Sequence, residues 1–273
     1  MISMIKKGRT SFKAELRIMY FAIMIILLLP NLSKAQVTNW NDELEQGCMK
    51  FGCGDWENAF SHLHKIVNAL PSLGFDAHSE GMVYYMCGVC TQQMGDVNQS
   101  IKYNAKGLAI SGIQMELRIQ LLTFQLNNYS TLSMWSECEG IVNSMMEIYK
   151  SRKEIDLAAS IISYYAGAGN HSAVIEFEKD ISNFIVPELD GEMNQYANLT
   201  QWQNIYLGLA YSFLQLKEYS KSLEFYQKSL DTITERTKDN RAVIYSSMSR
   251  IYYELGDKAS ALKYQKMSLE SEK

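Results

Sequence analysis

The chain has no surplus of positive charge once its N-terminal segment is set aside. Residues 1–35 hold six of the 26 Lys and Arg residues and one of the 30 acids, so residues 36–273 keep 20 basic residues against 29 acidic ones, a formal charge of −9. Nucleic acids and anionic membranes attract proteins through concentrated positive charge. The composition therefore argues against both as partners of the mature chain.

Long apolar runs are also absent beyond the N-terminus, where Ile18–Leu29 follows a basic lead and contains no charged residue. A transmembrane helix needs about 20 apolar residues, whereas a run of roughly 7 to 15 suits the core of a secretory signal peptide. Small residues at Ser33 and Ala35 match the positions that a signal peptidase reads. We expect a signal peptide over residues 1–35, cleaved before Gln36, and an exported, periplasmic or extracellular chain with no integral membrane span. An uncleaved N-terminal anchor is the alternative.

Motifs for catalysis and cofactor binding are missing. The chain has no recognisable Ser/His/Asp or paired-carboxylate arrangement. The stretch "GAGNHS", residues 167–172, superficially resembles a phosphate loop but lacks the preceding strand and the closing Lys, so a turn between helices is the better interpretation. His62 and His64 are two residues apart on a predicted helix and face different directions, which does not suit a shared metal. We predict a protein that is not an enzyme and has no cofactor and no metal.

Five cysteines, an odd number, lie in a segment for which export permits disulfides. Cys87 and Cys90 in "CGVC" imitate a redox pair, but the pattern places both inside a helix and not at the helix N-terminus that lowers a thiol pKa. Cys48, Cys53, Cys87 and Cys90 have the ligand count of a zinc site. A disulfide between Cys48 and Cys90 is another alternative. The simplest is that the cysteines are small apolar packing groups.

A pattern that is interrupted at its middle recurs along the chain. In "IYYELGDKASALKYQKMSLE", residues 251–270, two amphipathic stretches flank Leu255-Gly256-Asp257. The first position of the pattern, called the aromatic slot, lies before the gap. The second position holds a small residue nine residues after the slot, and the third position lies seven residues after the second. Gly-Asp or Lys-Glu fills the gap in the clearest copies. The positions are Tyr252/Ala261/Ser268, Phe213/Ser222/Ser229, Thr91/Ser100/Gly107, Tyr129/Cys138/Met145 and Tyr164/Ala173/Asp180, with Gly54-Asp55, Ala59 and Ile66 in the first copy.

Each copy predicts a helix, a tight turn and a second helix. Apolar and aromatic residues recur at helical spacing on both sides of the gap, as at Tyr245, Met248 and Tyr252. Glycine readily adopts the left-handed conformation that ends a helix, and an acid after it suits the positive N-terminal end of the next helix. The small residue lets the two helices approach closely.

This pattern resembles the tetratricopeptide repeat, over about residues 41–273. The resemblance implies an all-α fold, a right-handed α-solenoid of about six helix-turn-helix repeats in one domain, residues 36–273. The expected repeats lie near 41–71, 82–114, 115–150, 154–186, 201–235 and 242–273, with a longer connection over 186–200.

The resemblance also implies a binding surface, because the first helices of such repeats line a concave groove that holds a partner's extended peptide or helix. Counting from each aromatic slot gives the groove residues as Tyr85, Val89, Gln92, Gln93, Thr123, Asn127, Leu207, Tyr211, Gln215, Ser246, Arg250 and Tyr253. The implied function is an exported, non-enzymatic scaffold that binds a protein or peptide. The alternatives are the sensor or ligand-binding part of a cell-envelope signalling system, and a thiol- or zinc-dependent role of the N-terminal cysteines.

Overall fold

The computed structural model describes residues 37–181, 192–233, 238 and 240–271. The expected signal peptide and residues 186–191 of the expected connection lie outside these ranges. The described residues form twelve α-helices and no strand. The helices are α1 (Val37–Cys53), α2 (Trp56–Leu73), α3 (Ala77–Gln93), α4 (Val97–Ala109), α5 (Met115–Thr131), α6 (Trp135–Arg152), α7 (Ile155–Gly167), α8 (His171–Ile181), α9 (Glu192–Gln215), α10 (Tyr219–Asp231), α11 (Asn240–Glu254) and α12 (Lys258–Ser271).

The helices follow one another as six hairpin pairs, in which an odd-numbered first helix is joined to the next helix by a short turn. The prediction of an all-α repeat solenoid is confirmed. The chain divides into two compact units, one ending at Asn143 and one beginning at Ser144, so that α6 contains the boundary. None of the helices in the described ranges is both long enough and apolar enough to cross a membrane.

All six turns within the pairs share one geometry. One residue has a left-handed backbone, with φ between 56° and 89°, and the next N–H donates to the carbonyl five positions earlier. Asp96 donates to Thr91 over 2.8 Å and Asp257 to Tyr252 over 2.9 Å. This is a Schellman-type helix end, which satisfies carbonyls that the helix leaves without a partner. The left-handed residues are Gly54, Gly95, Ser133, Gly169, Lys217 and Gly256.

Side chains that follow the left-handed residue cap the second helix of several pairs. The Asp96 carboxylate accepts from the Gln99 N–H at 2.9 Å, and the Asp257 carboxylate accepts from the Ser260 N–H at 3.0 Å. The hydrogen bonds from Ser260 hold the pKa of the Asp257 carboxyl below its ordinary value. The expectation of an acid at the start of the second helix therefore has a direct structural reason.

Lys217 offers a stability test because it occupies a position that favours glycine, with φ of 60°. A left-handed conformation costs a residue with a Cβ roughly 1–2 kcal/mol. Glycine avoids this cost, but it also increases the conformational entropy of the unfolded chain, which offsets part of the gain. We expect Lys217→Gly to raise the free energy of unfolding by about 1 kcal/mol in urea denaturation. The reverse change, Gly256→Ala, should lower it by a similar amount. A lower urea midpoint for Lys217→Gly would contradict this account.

In the fourth pair, α7 and α8, the predicted register of the repeat pattern is wrong. Asn170 donates to the carbonyl of Tyr165, and Val174 is buried in the position that holds the small residue in other pairs. The third position of the pattern is then Ile181, which is also buried. The predicted set Tyr164/Ala173/Asp180 is wrong by one residue. The sequence offers Gly167 and Gly169 as turn residues, and Gly169 is the left-handed one.

Three predicted boundaries also change. Helix α3 begins at Ala77 and not near 82, because the Asp76 carboxylate caps it by accepting from the Ser79 N–H at 2.7 Å. Helix α2 continues past Pro71 to Leu73. Helix α9 begins at Glu192, so residues 192–200 are helical where a connection was expected. That stretch contains neither glycine nor proline, the residues that most oppose a helix.

Small buried residues lie where the two helices of a pair approach each other. The Ser222 hydroxyl on α10 donates to the Ala210 carbonyl on α9 at 2.7 Å, and the Ser249 hydroxyl on α11 donates to the Ala261 carbonyl on α12 at 2.8 Å. Both serines are buried. Each hydroxyl keeps a hydrogen bond inside the contact, which avoids the cost of burying an unpaired polar group.

Candidate functional site

First helices α7 and α9 border an open cleft of about 400 Å³ in the second unit. Two of its residues, Leu207 and Tyr211, belong to the predicted groove. The full lining consists of Ser163, Ala166, Gly167, Asn204, Leu207, Gly208 and Tyr211. The other five were not on the predicted list, although Asn204 precedes Leu207 by three residues and Tyr211 by seven, the spacing of one helix face.

Small residues allow α7 and α9 to approach at the base of this cleft. Gly208 lies so close to the buried Ile162 that a Cβ added at residue 208 would overlap the Ile162 Cγ2 atom. Ala166 and Gly167 add little side-chain volume. The larger side chains of Leu207 and Tyr211 lie next to these small residues. The cleft is therefore a shallow recess whose base is lined by small residues.

Neighbouring packing holds Tyr211 in place. Its side chain is 43% exposed, and its ring meets the His171 ring edge to face at 5.6 Å between centroids. The His171 Nδ1 atom lies 3.2 Å from the Ser212 hydroxyl oxygen. Ser212 is fully buried, so its hydroxyl supports the histidine and is not accessible to a substrate. Tyr211 thus offers a fixed, half-exposed aromatic face.

The cleft combines apolar area with a few hydrogen-bonding groups. Leu207 and Tyr211 supply the apolar area, while Asn204 and Ser163 supply an amide and a hydroxyl. The lining residues within the described part of the chain carry no charge. A rigid aromatic beside a small number of polar groups is typical of surfaces that anchor a partner's side chain and main chain.

The predicted groove residue Arg250 is an exposed cation on α11. Burial raises the pKa of the Tyr226 hydroxyl above its ordinary value, and Tyr211 raises it further. A hydrogen bond from Ser247 and the charge of Arg250 oppose this shift. Arg250 is not among the residues that line the cleft. The predicted groove residues Gln215 and Tyr253 are also exposed.

In the first unit the predicted groove residues divide into two groups. Gln93 and Asn127 are exposed, whereas Val89 is half-buried. Tyr85 packs its ring edge to face against Phe124 at 5.8 Å, and burial raises the pKa of its hydroxyl. The Gln92 amide donates to the Asn128 side-chain oxygen at 2.9 Å. Tyr85 and Gln92 therefore contribute to packing between helices in addition to any contact with a partner.

Asn128 was missed from the sequence and joins three helices. Its amide nitrogen donates to the Ser100 hydroxyl on α4 at 2.8 Å while its oxygen accepts from Gln92 on α3. Asn128 and Ser100 are both fully buried. The sequence does not distinguish Asn128 from its neighbour Asn127, which is exposed. The inward orientation of Asn128 is known only from the contacts between these three helices.

Replacing Asn128 by leucine should lower the free energy of unfolding by about 1–3 kcal/mol, because the buried Ser100 hydroxyl and the Gln92 amide lose a partner. The matched control is Asn127→Leu, which changes an exposed residue and should alter stability by less than about 0.5 kcal/mol. Urea denaturation of both variants checks the difference. Equal stability of the two variants would show that Asn128 does not stabilise the fold through these hydrogen bonds.

All five cysteines lie within the described residues and are free thiols, so the alternative of a Cys48–Cys90 disulfide is not formed in this structure. Cys48, Cys87 and Cys90 are fully buried in the apolar core of the first unit, where they pack as small apolar groups. Burial raises the pKa of Cys48 and of Cys90 to about 12 and raises that of Cys87 well above its ordinary value. Burial therefore disfavours the thiolate form, which is the nucleophile in thiol chemistry.

Within the described ranges, no three His, Cys, Asp or Glu side chains come together as the ligands of a metal ion would. His62 and His64 have separate partners. The His62 Nδ1 atom lies 2.6 Å from a Glu43 carboxylate oxygen, and the His64 Nδ1 atom lies 2.7 Å from the Tyr103 hydroxyl. Hydrogen bonds from Lys65 and His62 lower the pKa of the Glu43 carboxyl. Both histidines thus take part in packing and surface pairing.

Cys53 differs from the other cysteines because it is exposed. We expect a thiol reagent to modify one thiol rapidly in the native protein and five in denaturant, since the other four are buried. Cys53→Ser should remove the rapid phase, whereas Cys138→Ser should leave it unchanged. Fewer than five thiols in denaturant without reductant would show that a disulfide forms.

Comparisons with known proteins agree with this architecture. Residues 203–271 match the family model described as the tetratricopeptide repeat. A tetratricopeptide repeat protein from Parabacteroides merdae is similar in structure, with a TM-score of 0.55 and 13% identity over 82% of this chain and 77% of that one. The alignment with MamA covers 83% of this chain and 94% of that one at 15% identity, with a TM-score of only 0.37. No curated protein matches the sequence.

The fold defines a class, the all-α helical-repeat proteins. The family model matches the C-terminal pairs, and the same turn geometry recurs in all six hairpins, so the chain has the helical-repeat fold of tetratricopeptide-repeat proteins. This fold is associated with protein-interaction scaffolds.

Proposed function

We propose that the protein is an exported, non-enzymatic scaffold that binds a protein or an extended peptide along the first helices of its repeats. The observation that carries this proposal is the cleft between α7 and α9, where the half-exposed Tyr211 stands beside Leu207 and Asn204. The repeat fold supports the general class of function. The short apolar run after a basic lead at the N-terminus supports export.

The cleft favours an extended peptide partner. One apolar or aromatic side chain of the peptide fills the neutral cleft, its peptide groups form hydrogen bonds to the polar lining residues, and Arg250 supplies a nearby cation. An apolar or aromatic side chain fits against Leu207 and Tyr211 above the small floor formed by Ala166, Gly167 and Gly208. The Asn204 amide can both donate to and accept from a peptide group. Buried aromatic and arginine contacts commonly dominate the affinity of such interfaces.

A cross-linked pull-down from the host's cell envelope tests the proposal, with residues 36–273 as bait. The groove variant combines Tyr211→Ala with Arg250→Ala. The matched control combines Trp135→Ala with Lys150→Ala, which removes an exposed aromatic and an exposed cation from the second helix α6. Circular dichroism and urea denaturation establish that both variants are folded.

We expect a partner that is captured by the unchanged protein and by the α6 control but lost with the groove variant. Equal capture by all three proteins would contradict binding in the cleft. Capture that is lost only with the α6 control would move the binding site to the second helices. Detection of the full-length protein in the cytoplasm, with residues 1–35 still attached, would contradict the export part of the proposal.

A further inference from the structure

The side of α7 that faces the cleft continues beyond it to Asp156. Asp156 precedes the cleft residue Ser163 by seven positions, almost two whole turns, so both residues lie on one face of α7. Gly208 of α9 meets Ile162 of α7 at the base of the cleft. Because α9 begins at Glu192 and these successive first helices run in the same direction, α9 continues alongside α7 as far as Asp156.

Asp156 combines access to solvent with a desolvated carboxyl group. Its side chain is exposed, yet burial by the surrounding protein raises the pKa of the carboxyl above its ordinary value. Both observations hold for a carboxyl on a concave surface, which solvent reaches from one side. Burial is the only influence on this pKa, so within the described part of the chain no cation or hydrogen-bond donor offsets the desolvation of the charged form.

The helices that border the cleft supply no positive charge to Asp156. The sequences of α7 and α9 contain neither Lys nor Arg. The two basic residues directly before α7 have acidic partners of their own. Arg152 pairs with Glu154, and the Lys153 Nζ atom lies 2.8 Å from an Asp180 carboxylate oxygen. A negative charge beside a neutral cleft is complementary to a cation carried by the ligand.

We propose that Asp156 selects peptides that carry a lysine or arginine about three or four residues from the apolar side chain that fills the cleft. This inference rests on the proposed function, because it takes the occupant of the cleft to be an extended peptide. The seven helical residues from Asp156 to Ser163 span about 10.5 Å at 1.5 Å per residue. An extended peptide covers about 3.3 Å per residue, so three or four residues bridge this distance.

Selection from a phage library of random peptides on residues 36–273 tests the inference. The same selection is made on Asp156→Asn and on Tyr211→Ala. The matched control is Asp231→Asn, which removes an exposed acid from the second helix α10. Circular dichroism and urea denaturation establish that the variants are folded.

We expect the selected peptides to carry Lys or Arg about three or four residues from an aromatic or large apolar residue. Asp156→Asn should remove the preference for the basic residue and keep the apolar one, whereas Asp231→Asn should keep both. In fluorescence anisotropy, replacing the basic residue of a selected peptide by Gln should weaken binding to the unchanged protein about twofold to fivefold. The same replacement should hardly affect binding to Asp156→Asn, and added salt should reduce the difference.

The possible results separate this inference from the function on which it rests. Selected peptides that require Tyr211 but show no basic preference, or that keep this preference with Asp156→Asn, would overturn the role of Asp156 alone. No enriched peptide, or peptides that bind Tyr211→Ala equally well, would overturn both the role of Asp156 and binding in the cleft. A basic residue seven positions from the apolar one, the spacing of a helix face, would overturn the extended peptide and the spacing proposed for it.

Discussion

Phe213→Ala should lower the free energy of unfolding by about 3–5 kcal/mol, the usual cost of truncating a buried phenylalanine. Phe213 is fully buried, and its ring stacks on Phe225 with 5.6 Å between centroids. It also occupies the aromatic slot of the fifth pair, where its carbonyl accepts from the Glu218 N–H at 2.9 Å. The change removes a contact that joins α9 to α10 directly beside the turn.

Guanidinium denaturation of Phe213→Ala measures this loss. The control is Tyr253→Ala, which removes an aromatic ring that is largely exposed and should change stability by less than about 0.5 kcal/mol. Phe213→Leu should fall between the two because it keeps most of the apolar volume. A loss below about 1 kcal/mol for Phe213→Ala would mean that the aromatic slot is not a core position.

Gly208→Ala should destabilise the second unit, although alanine is usually the better helix residue by about 1 kcal/mol. The new Cβ overlaps the Ile162 Cγ2 atom, and Ile162 is fully buried with little freedom to move. Overpacking of this kind costs roughly 1–3 kcal/mol and should exceed the gain in helix propensity. The change also separates α7 from α9 and so deforms the cleft between them.

Ile162→Leu provides the control for this prediction, since leucine has no methyl group branching from Cβ. We expect the double variant Gly208→Ala/Ile162→Leu to be more stable than the sum of the single changes predicts, by about 1 kcal/mol or more. Thermal unfolding of the four proteins completes the cycle. Additive effects would show that residues 162 and 208 do not meet as the structure describes.

The turns could be predicted because glycine marks the left-handed position. Gly54, Gly95 and Gly256 stand where the pattern placed them, and Lys217 was found only because the spacing of the repeat required a turn there. Ser133 gives no such signal, since neither glycine nor an acid accompanies it. The spacing of the repeat therefore predicts turn positions that the preferences of the local residues do not indicate.

The cleft was predicted in part: Asn204 and Gly208 were missed on α9, whose register was correct, and no α7 residue was predicted, where the register was wrong by one. Residues two before the aromatic slot face the groove, as Tyr211 does before Phe213. With the slot at Tyr165, the equivalent residue is Ser163, which lines the cleft; with the slot at Tyr164 it would be Ile162, which is buried. The predicted register would therefore have pointed to a buried residue in place of Ser163.

Contacts between helices account for the rest. The approach of Gly208 to Ile162, the buried role of Asn128 and the burial of Cys48 and Cys90 depend on which helix faces meet. Sequence spacing shows that a helix is amphipathic but not which neighbour covers a given residue.

Photocrosslinking from inside the cleft tests the central claim most directly. A photoreactive side chain introduced at Ser163 on α7 is compared with the same side chain at Lys102, an exposed residue on the second helix α4. Both proteins are expressed in the host and irradiated, and adducts are resolved by electrophoresis and mass spectrometry. The account predicts a discrete adduct with one envelope protein from residue 163 and none from residue 102. An adduct from residue 102 with none from residue 163 would contradict it.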